Sequence, residues 1–170
     1  RSALNAVRGM PFAWSLNPYM GCAHRCTFCY VRAFELRADR PAGEGYGRSI
    51  RVKVNVAEVL RAELRRPSWA GEGVAIGTAT DPYQPAEGRY RLTRGCLEEL
   101  RDASNSFSLI TRNPMILRDV DILVEASQRA EVGIVFSVPT LDVDVWRRTE
   151  PGTPPPQRRL DALRQLVAAG

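Results

Sequence analysis

From Val74 onward, short apolar runs alternate with helical patterns, and this alternation limits the fold more than any other property of the chain. Val74-Ala75-Ile76-Gly77, Phe107 to Thr111 and Val132 to Val138 read as buried strands. Between them, Thr93 is placed to cap a helix running to about Asp102 and buried through Leu97 and Leu100. Ile116 to Arg129 reads as the next helix, with Leu117, Val120, Leu123 and Val124 facing inward. Upstream, Phe12 to Leu16 is a first strand ending at Asn17-Pro18-Tyr19, and Asn55 precedes a helix over Ala57 to Arg66 that Pro67 stops. A last helix begins at Pro156 or Gln157, with Leu160, Leu163, Leu166 and Val167 on one side. Strands that alternate with helices in this way require a parallel sheet with right-handed crossovers. The expected fold is therefore α/β: the N-terminal portion of a partial TIM-type barrel of parallel β/α units.

Where β/α folds do chemistry is equally constrained, because the loops beyond the carboxyl ends of the strands converge on one face. After the first strand comes Cys22-Ala23-His24-Arg25-Cys26-Thr27-Phe28-Cys29-Tyr30, a C-x3-C-x2-C run. Thr78 to Gln84 follows the second strand, Arg112-Asn113 the third, and Ser137 to Asp142 the fourth. Three thiolates can hold three corners of a cubane iron–sulfur cluster and leave one iron for an exchangeable ligand, whereas closed zinc and ferredoxin sites usually use four protein ligands. A structural zinc site remains the competing reading of the spacing, with His24 as its only nearby fourth donor. Cys96 falls in the helical pattern with Leu97 and Leu100 and reads as a small buried side chain.

Composition narrows the class further. The chain has 170 residues, enough for one substantial core, and one domain over residues 1–170 is expected, with an irregular, surface-exposed insertion around 31–54 marked by glycines 43, 45 and 47. Because it starts at Arg1 and stops directly after a helical pattern, truncation at the C-terminus is expected. No apolar run approaches the roughly 18 residues of a membrane span, and no signal sequence is visible. Clustered cysteines without a secretory leader imply ligands in a reducing compartment, hence a cytoplasmic location. The net charge is +5, and Lys53 is the only lysine against 23 arginines. Such a charge favours contact with nucleic acid, yet no aromatic-basic interleaving or recognition-helix motif accompanies it.

The run Cys22 to Cys29, with Phe28 before its third cysteine, resembles the cluster motif of radical S-adenosylmethionine (radical SAM) enzymes. Asn17-Pro18-Tyr19-Met20-Gly21-Cys22, Gly77-Thr78-Ala79-Thr80-Asp81-Pro82-Tyr83-Gln84-Pro85-Ala86-Glu87 and Glu150-Pro151-Gly152 resemble the branch related to spore photoproduct lyase, often described as DNA repair photolyase-like. This resemblance implies a radical SAM core in which Cys22, Cys26 and Cys29 bind a 4Fe–4S cluster whose fourth iron chelates S-adenosyl-L-methionine. It implies that Phe28 and Tyr30 lie near the cluster and adenine, and that Thr78, Thr80 and Asp81 stand in for the more usual Gly-Gly-Glu contact to the methionine amino group. Ser137 is implied as a ribose or carboxylate contact, and Arg158 as a partner of the cofactor carboxylate or of a structural ion pair. The implied activity is reductive cleavage of S-adenosylmethionine to a 5′-deoxyadenosyl radical that abstracts hydrogen from an unidentified substrate, a nucleic-acid lesion being the narrower expectation. A one-electron reductant such as flavodoxin or ferredoxin is the implied partner. A different class, an iron–sulfur sensor or assembly protein without radical turnover, carries the same cysteines.

Overall fold

The computed structural model describes residues 2–170. Its elements, in chain order, are β1 (Leu4–Ala6), β2 (Trp14–Leu16), β3 (Tyr19–Met20), α1 (Val31–Arg37), β4 (Arg51–Val52), α2 (Val56–Leu64) and β5 (Val74–Ile76). They continue with α3 (Pro85–Tyr90), α4 (Leu92–Asp102), β6 (Phe107–Thr111), a 3-10 turn (Pro114–Asp119), α5 (Val120–Ser127), β7 (Val132–Phe136), α6 (Val143–Thr149) and α7 (Pro156–Ala169). The main sheet runs β1-β2-β5-β6-β7, parallel throughout except for the antiparallel edge pair β1–β2. Spatial order follows sequence order, so successive crossovers wind the same way, as in a β/α barrel wall rather than a doubly wound sheet. The expected α/β partial-barrel architecture is the one observed.

Strand period decides the two faces. Leu16, Ile76 and Leu109 pair in register and point to the helical side. There they share one core with Val56 and Leu60 of α2, Leu97 and Leu100 of α4, and Ile122 and Leu123 of α5. Cys96 lies in that core with no exposed surface, as its helical spacing predicts. The opposite register, Ser15–Ala75–Ser108–Gly133, consists of small side chains on the other face. That layer leaves room for a ligand.

Several elements differ from the sequence expectations. The segment after β5 forms the short helix α3 beyond Gln84 instead of remaining a loop to Gly88. Thr93 lies inside α4 rather than capping it, and its hydroxyl donates to the Pro82 carbonyl at 2.6 Å. The expected helix from Ile116 starts as a 3-10 turn, capped by Asn113, which accepts from the Met115 N–H. Three residues per turn advance the phase, so Ile122, Leu123 and Ala126 are buried in α5 rather than Val120 and Val124. In α7 the buried positions are Pro156, Arg159 and Ala162, while Val167 is 74% exposed. Among the described residues, no helix is long and apolar enough to cross a membrane.

Candidate functional site

The cysteine loop, Gly21 to Tyr30, runs between β3 and α1 and lies over the carboxyl ends of the parallel strands. Side chains from the loop after β5 hold it from below. Thr80 Oγ1 donates to the Gly21 carbonyl at 2.6 Å, and Gln84 donates to the same oxygen while its own carbonyl accepts from the Ala23 N–H. Glycines without a Cβ let two further segments touch the loop. A Cβ at Gly47 would lie 2.1 Å from the Cys22 carbonyl oxygen, and one at Gly152 would lie 2.3 Å from that of Ala23. Gly47 has φ +71°, in the left-handed region that favours glycine. The Gly152 N–H also donates to His24 O, and the Thr27 N–H to Thr149 O. The Glu150-Pro151-Gly152 motif is thus a brace for the cysteines.

The segment expected to be a surface insertion is mostly exposed and also supplies a second brace. Arg32 donates to the carbonyls of Cys26, Arg25, Ala42 and Gly43 and stacks 4.4 Å from the centre of the Tyr46 ring. Tyr46 is buried, with its hydroxyl 3.4 Å from Cys29 Sγ. Local composition could not show this, because the contacts join residues that lie far apart in the loop.

Cys22, Cys26 and Cys29 are free and line one cavity of about 380 Å3, within the usual range of about 300–1,000 Å3 for small-molecule sites. Burial, reinforced by the Asp81 carboxylate, pushes the Cys22 thiol up to about 12. Burial likewise pushes Cys26 up to about 11, against the favourable Arg112 guanidinium. These two thiols are neutral at pH 7 until a cationic centre displaces their protons, as metal binding does. Among the described residues, no group of three or more His, Cys, Asp or Glu side chains is arranged to hold a metal ion as it stands. Three unpaired thiols on one braced loop, facing one cavity, do fit the ligand set of a cluster that brings its own sulfides.

Of the residues proposed from sequence, Phe28, Tyr30, Thr78, Thr80, Asp81 and Ser137 line this same cavity. Two of them, Thr80 and Asp81, already have partners within the fold. Asp81 is buried, and its carboxylate accepts from the Tyr83 N–H, the Thr111 hydroxyl and the Arg112 N–H, with His24 Nδ1 at 3.3 Å. Burial opposes its ionisation, yet His24 and these donors hold its pKa below the ordinary carboxylate value. With its acceptors committed, Asp81 orders the loops instead of offering a free carboxylate. Thr80 is similarly committed, accepting from Gln84 as it donates to Gly21. Thr78 is more available: its hydroxyl accepts from Asn17 and its carbonyl accepts from the Tyr30 hydroxyl. Both Phe28 and Tyr30 remain exposed at the cavity mouth.

Arg158 is not brought to the site. It is exposed on α7 and does not line the cavity. Its neighbour Arg159 is fully buried, donating to Glu150, to the Thr153 hydroxyl and to the carbonyls of Pro154 and Ser137. Glu150 also pairs with Arg112. Arg112 lines the cavity and lies 5.3 Å from the centre of the Phe28 ring; the sequence places its loop at the site face without giving this cation a ligand role. Its place directly after β6, on the loop face of the sheet, was the available signal.

His24 is buried, and neither ring nitrogen has a well-formed hydrogen bond despite the nearby Asp81 carboxylate. It lines the cavity between Cys22 and Cys26 but shares no single-metal centre with them.

Comparison with known proteins agrees with this geometry. An uncharacterized protein of Mycobacterium tuberculosis is 42% identical over 173 residues, covering all of this chain and 51% of its own length. An uncharacterized protein of Acidianus two-tailed virus is 30% identical over 162 residues, covering 92% of this chain and 52% of its own. This chain therefore spans about half the length of the curated relatives it matches. Among solved structures, a variant of spore photoproduct lyase superposes with a TM-score of 0.67 at 20% identity, covering 100% of this chain and 47% of that one. A spore photoproduct lyase variant with bound AdoMet and dinucleoside spore photoproduct gives 0.66 at 18% identity, covering 98% of this chain and 45% of that one. These likenesses establish a shared fold. The sequence pattern of the Radical SAM superfamily matches residues 16–170, from β2 through the cysteine loop to the end of α7, and on that match the chain belongs to the radical SAM superfamily.

Proposed function

We propose that Cys22, Cys26 and Cys29 hold a 4Fe–4S cluster, that S-adenosylmethionine occupies the adjoining cavity, and that the whole protein is an enzyme of radical hydrogen abstraction. The observation that carries this reading is the convergence of three free thiols on one cavity, on a loop braced by three separate segments. When bound, the cluster supplies one electron that cleaves the sulfonium of S-adenosylmethionine into methionine and a 5′-deoxyadenosyl radical. A flavodoxin or ferredoxin is the proposed electron donor, and the cytoplasm the proposed compartment.

The chain's own residues would orient the cofactor. Arg112 offers a guanidinium to its carboxylate, a charge-assisted contact. Thr78 and Ser137 offer hydroxyls on two sides of the cavity, and Phe28 and Tyr30 supply aromatic faces for adenine. The small side chains of Ala75 and Ser108, which line the cavity floor, leave volume for the reacting carbon over the sheet. A nucleic-acid lesion is the proposed substrate class. It is supported by the fold shared with spore photoproduct lyase, the net charge of +5 and the exposed aromatics at the mouth.

Electron paramagnetic resonance of the anaerobically reconstituted, reduced protein tests the cofactor reading. Addition of S-adenosylmethionine is expected to change the cluster signal, and Cys26→Ala is expected to abolish it. A well-formed cluster indifferent to S-adenosylmethionine would instead favour the sensor reading.

A further inference from the structure

A second cavity, of about 740 Å3, opens beside the first and shares Met10, Phe12, Tyr30, Val31 and Thr78 with it as walls. Among the described residues, three charged side chains line it: Glu35, Arg40 and Lys53. Glu35 is buried and already paired with Arg40. That pairing leaves Arg40 Nε buried without a hydrogen-bond partner. Lys53 has neither an ion pair nor a side-chain hydrogen bond among the described residues. The titratable group that acts on Lys53 from α4 is the buried Cys96 thiol, whose own pKa burial raises, so it supplies no counter-charge. The cavity therefore carries one uncompensated positive charge at Lys53.

A half-buried ammonium without a partner is costly and becomes favourable when an anion arrives. Burial lowers the Lys53 pKa from its ordinary value. The position is well defined, because the Lys53 N–H donates to Pro18 O and β4 pairs with β3, fixing the backbone just before α2.

We infer that Lys53 is the anion-binding residue at the substrate end of the site, recognising a phosphate or carboxylate on the molecule that the radical attacks. The assignment of that anion to a substrate rests on the function proposed above, whereas the binding of an anion at Lys53 does not. Tyr30 and Thr78, shared by both cavities, would stand between the anchored group and the cofactor. Lys53 is thus a specificity-determining residue, selecting which end of an anionic substrate lies away from the chemistry.

Because Lys53 is the only lysine in this chain, reductive methylation with 13C-formaldehyde labels that side chain and the amino terminus alone. Carbon-detected titration of the labelled, cluster-free chain with inorganic phosphate, a dinucleoside monophosphate or succinate should produce a saturable shift at Lys53 and raise its titration midpoint. A response to phosphate and the dinucleoside monophosphate supports a phosphorylated or phosphodiester substrate, and a response confined to succinate supports a carboxylate. Calorimetry with the responding anion should show about tenfold weaker binding for Lys53→Gln, with Lys53→Arg retaining most of the affinity. No shift with any of the three anions, or equal binding by Lys53→Gln, overturns the inference. The NMR measurement needs no substitution, so a variant that fails to fold does not obscure it. Nor does it need cluster or S-adenosylmethionine: anion binding without a paramagnetic response to S-adenosylmethionine would defeat the proposed function alone, and the reverse would defeat this inference alone.

Discussion

Glu150 shows how a single residue ties the site together. It is fully buried, yet it faces two arginines, one of them also fully buried, so its charge is compensated within the fold. Through Arg159 it fixes the Ser137 carbonyl and Thr153, and through Arg112 it orients the cation that lies beside Phe28. Removing one member of a buried ion pair leaves the other charge unpaired, which costs about 3–5 kcal/mol. Glu150→Gln is therefore expected to lower the unfolding free energy by about 3 kcal/mol and to loosen the cysteine loop. Urea denaturation followed by circular dichroism measures the first effect, and iron content after reconstitution measures the second. A variant as stable as the parent would show that neither arginine depends on this carboxylate.

At the scale of elements, α4 and α5 are joined outside the core by Arg94, which donates to Asp121 at 2.8 and 3.0 Å and to the buried Asp119 at 3.0 Å. The hydrogen bond from Arg94 is the main cause that lowers the Asp121 pKa to about 2. A depressed carboxylate stabilises the fold above its ordinary pKa of about 4 and loses that contribution as pH falls through the folded value. Asp121 is largely exposed, so the contribution is small, about 0.5 kcal/mol. Asp121→Asn is thus expected to be slightly less stable than the parent at pH 7 and indistinguishable from it near pH 2, as denaturation midpoints at the two pH values would show. A difference that persists in acid would assign the effect to packing rather than charge. Helix phase belongs to this scale too: the 3-10 turn before α5 decides which of its aliphatic side chains reach the core.

At the scale of the whole sheet, the apolar core lies on the helical side and the candidate site on the other. The layer Ser15–Ala75–Ser108–Gly133 is small across four neighbouring strands, and that shared restraint leaves the site open. Ser108 is exposed on this inner face and lines the first cavity. Ser108→Leu should therefore fill ligand space at little cost to folding, shifting stability by no more than about 0.5 kcal/mol. It should also weaken the paramagnetic response to S-adenosylmethionine by about tenfold or more in half-saturating concentration, the equivalent of about 1.4 kcal/mol. An unchanged response would place the cofactor elsewhere than over this layer.

Much of this organisation was legible in the chain itself. Strand and helix periods are local, so the parallel α/β order and the four site-bearing loops follow from which residues are apolar and at what spacing. The cysteine run is equally local: its ligand chemistry depends on residue type and short separation. Tertiary structure decided what each loop residue does, because a hydroxyl or carboxylate is free or committed according to partners distant in sequence. Asp81 is committed by Thr111 and Arg112, Thr80 by Gly21, and Arg159 rather than Arg158 by Glu150. Only the folded chain could turn the segment after the cysteines into a brace through Arg32 and Tyr46, or leave Lys53 facing a cavity without a counter-charge. The reason is physical: periodicity reports which way a side chain faces, but the partners available to it depend on which strands and loops the fold brings side by side.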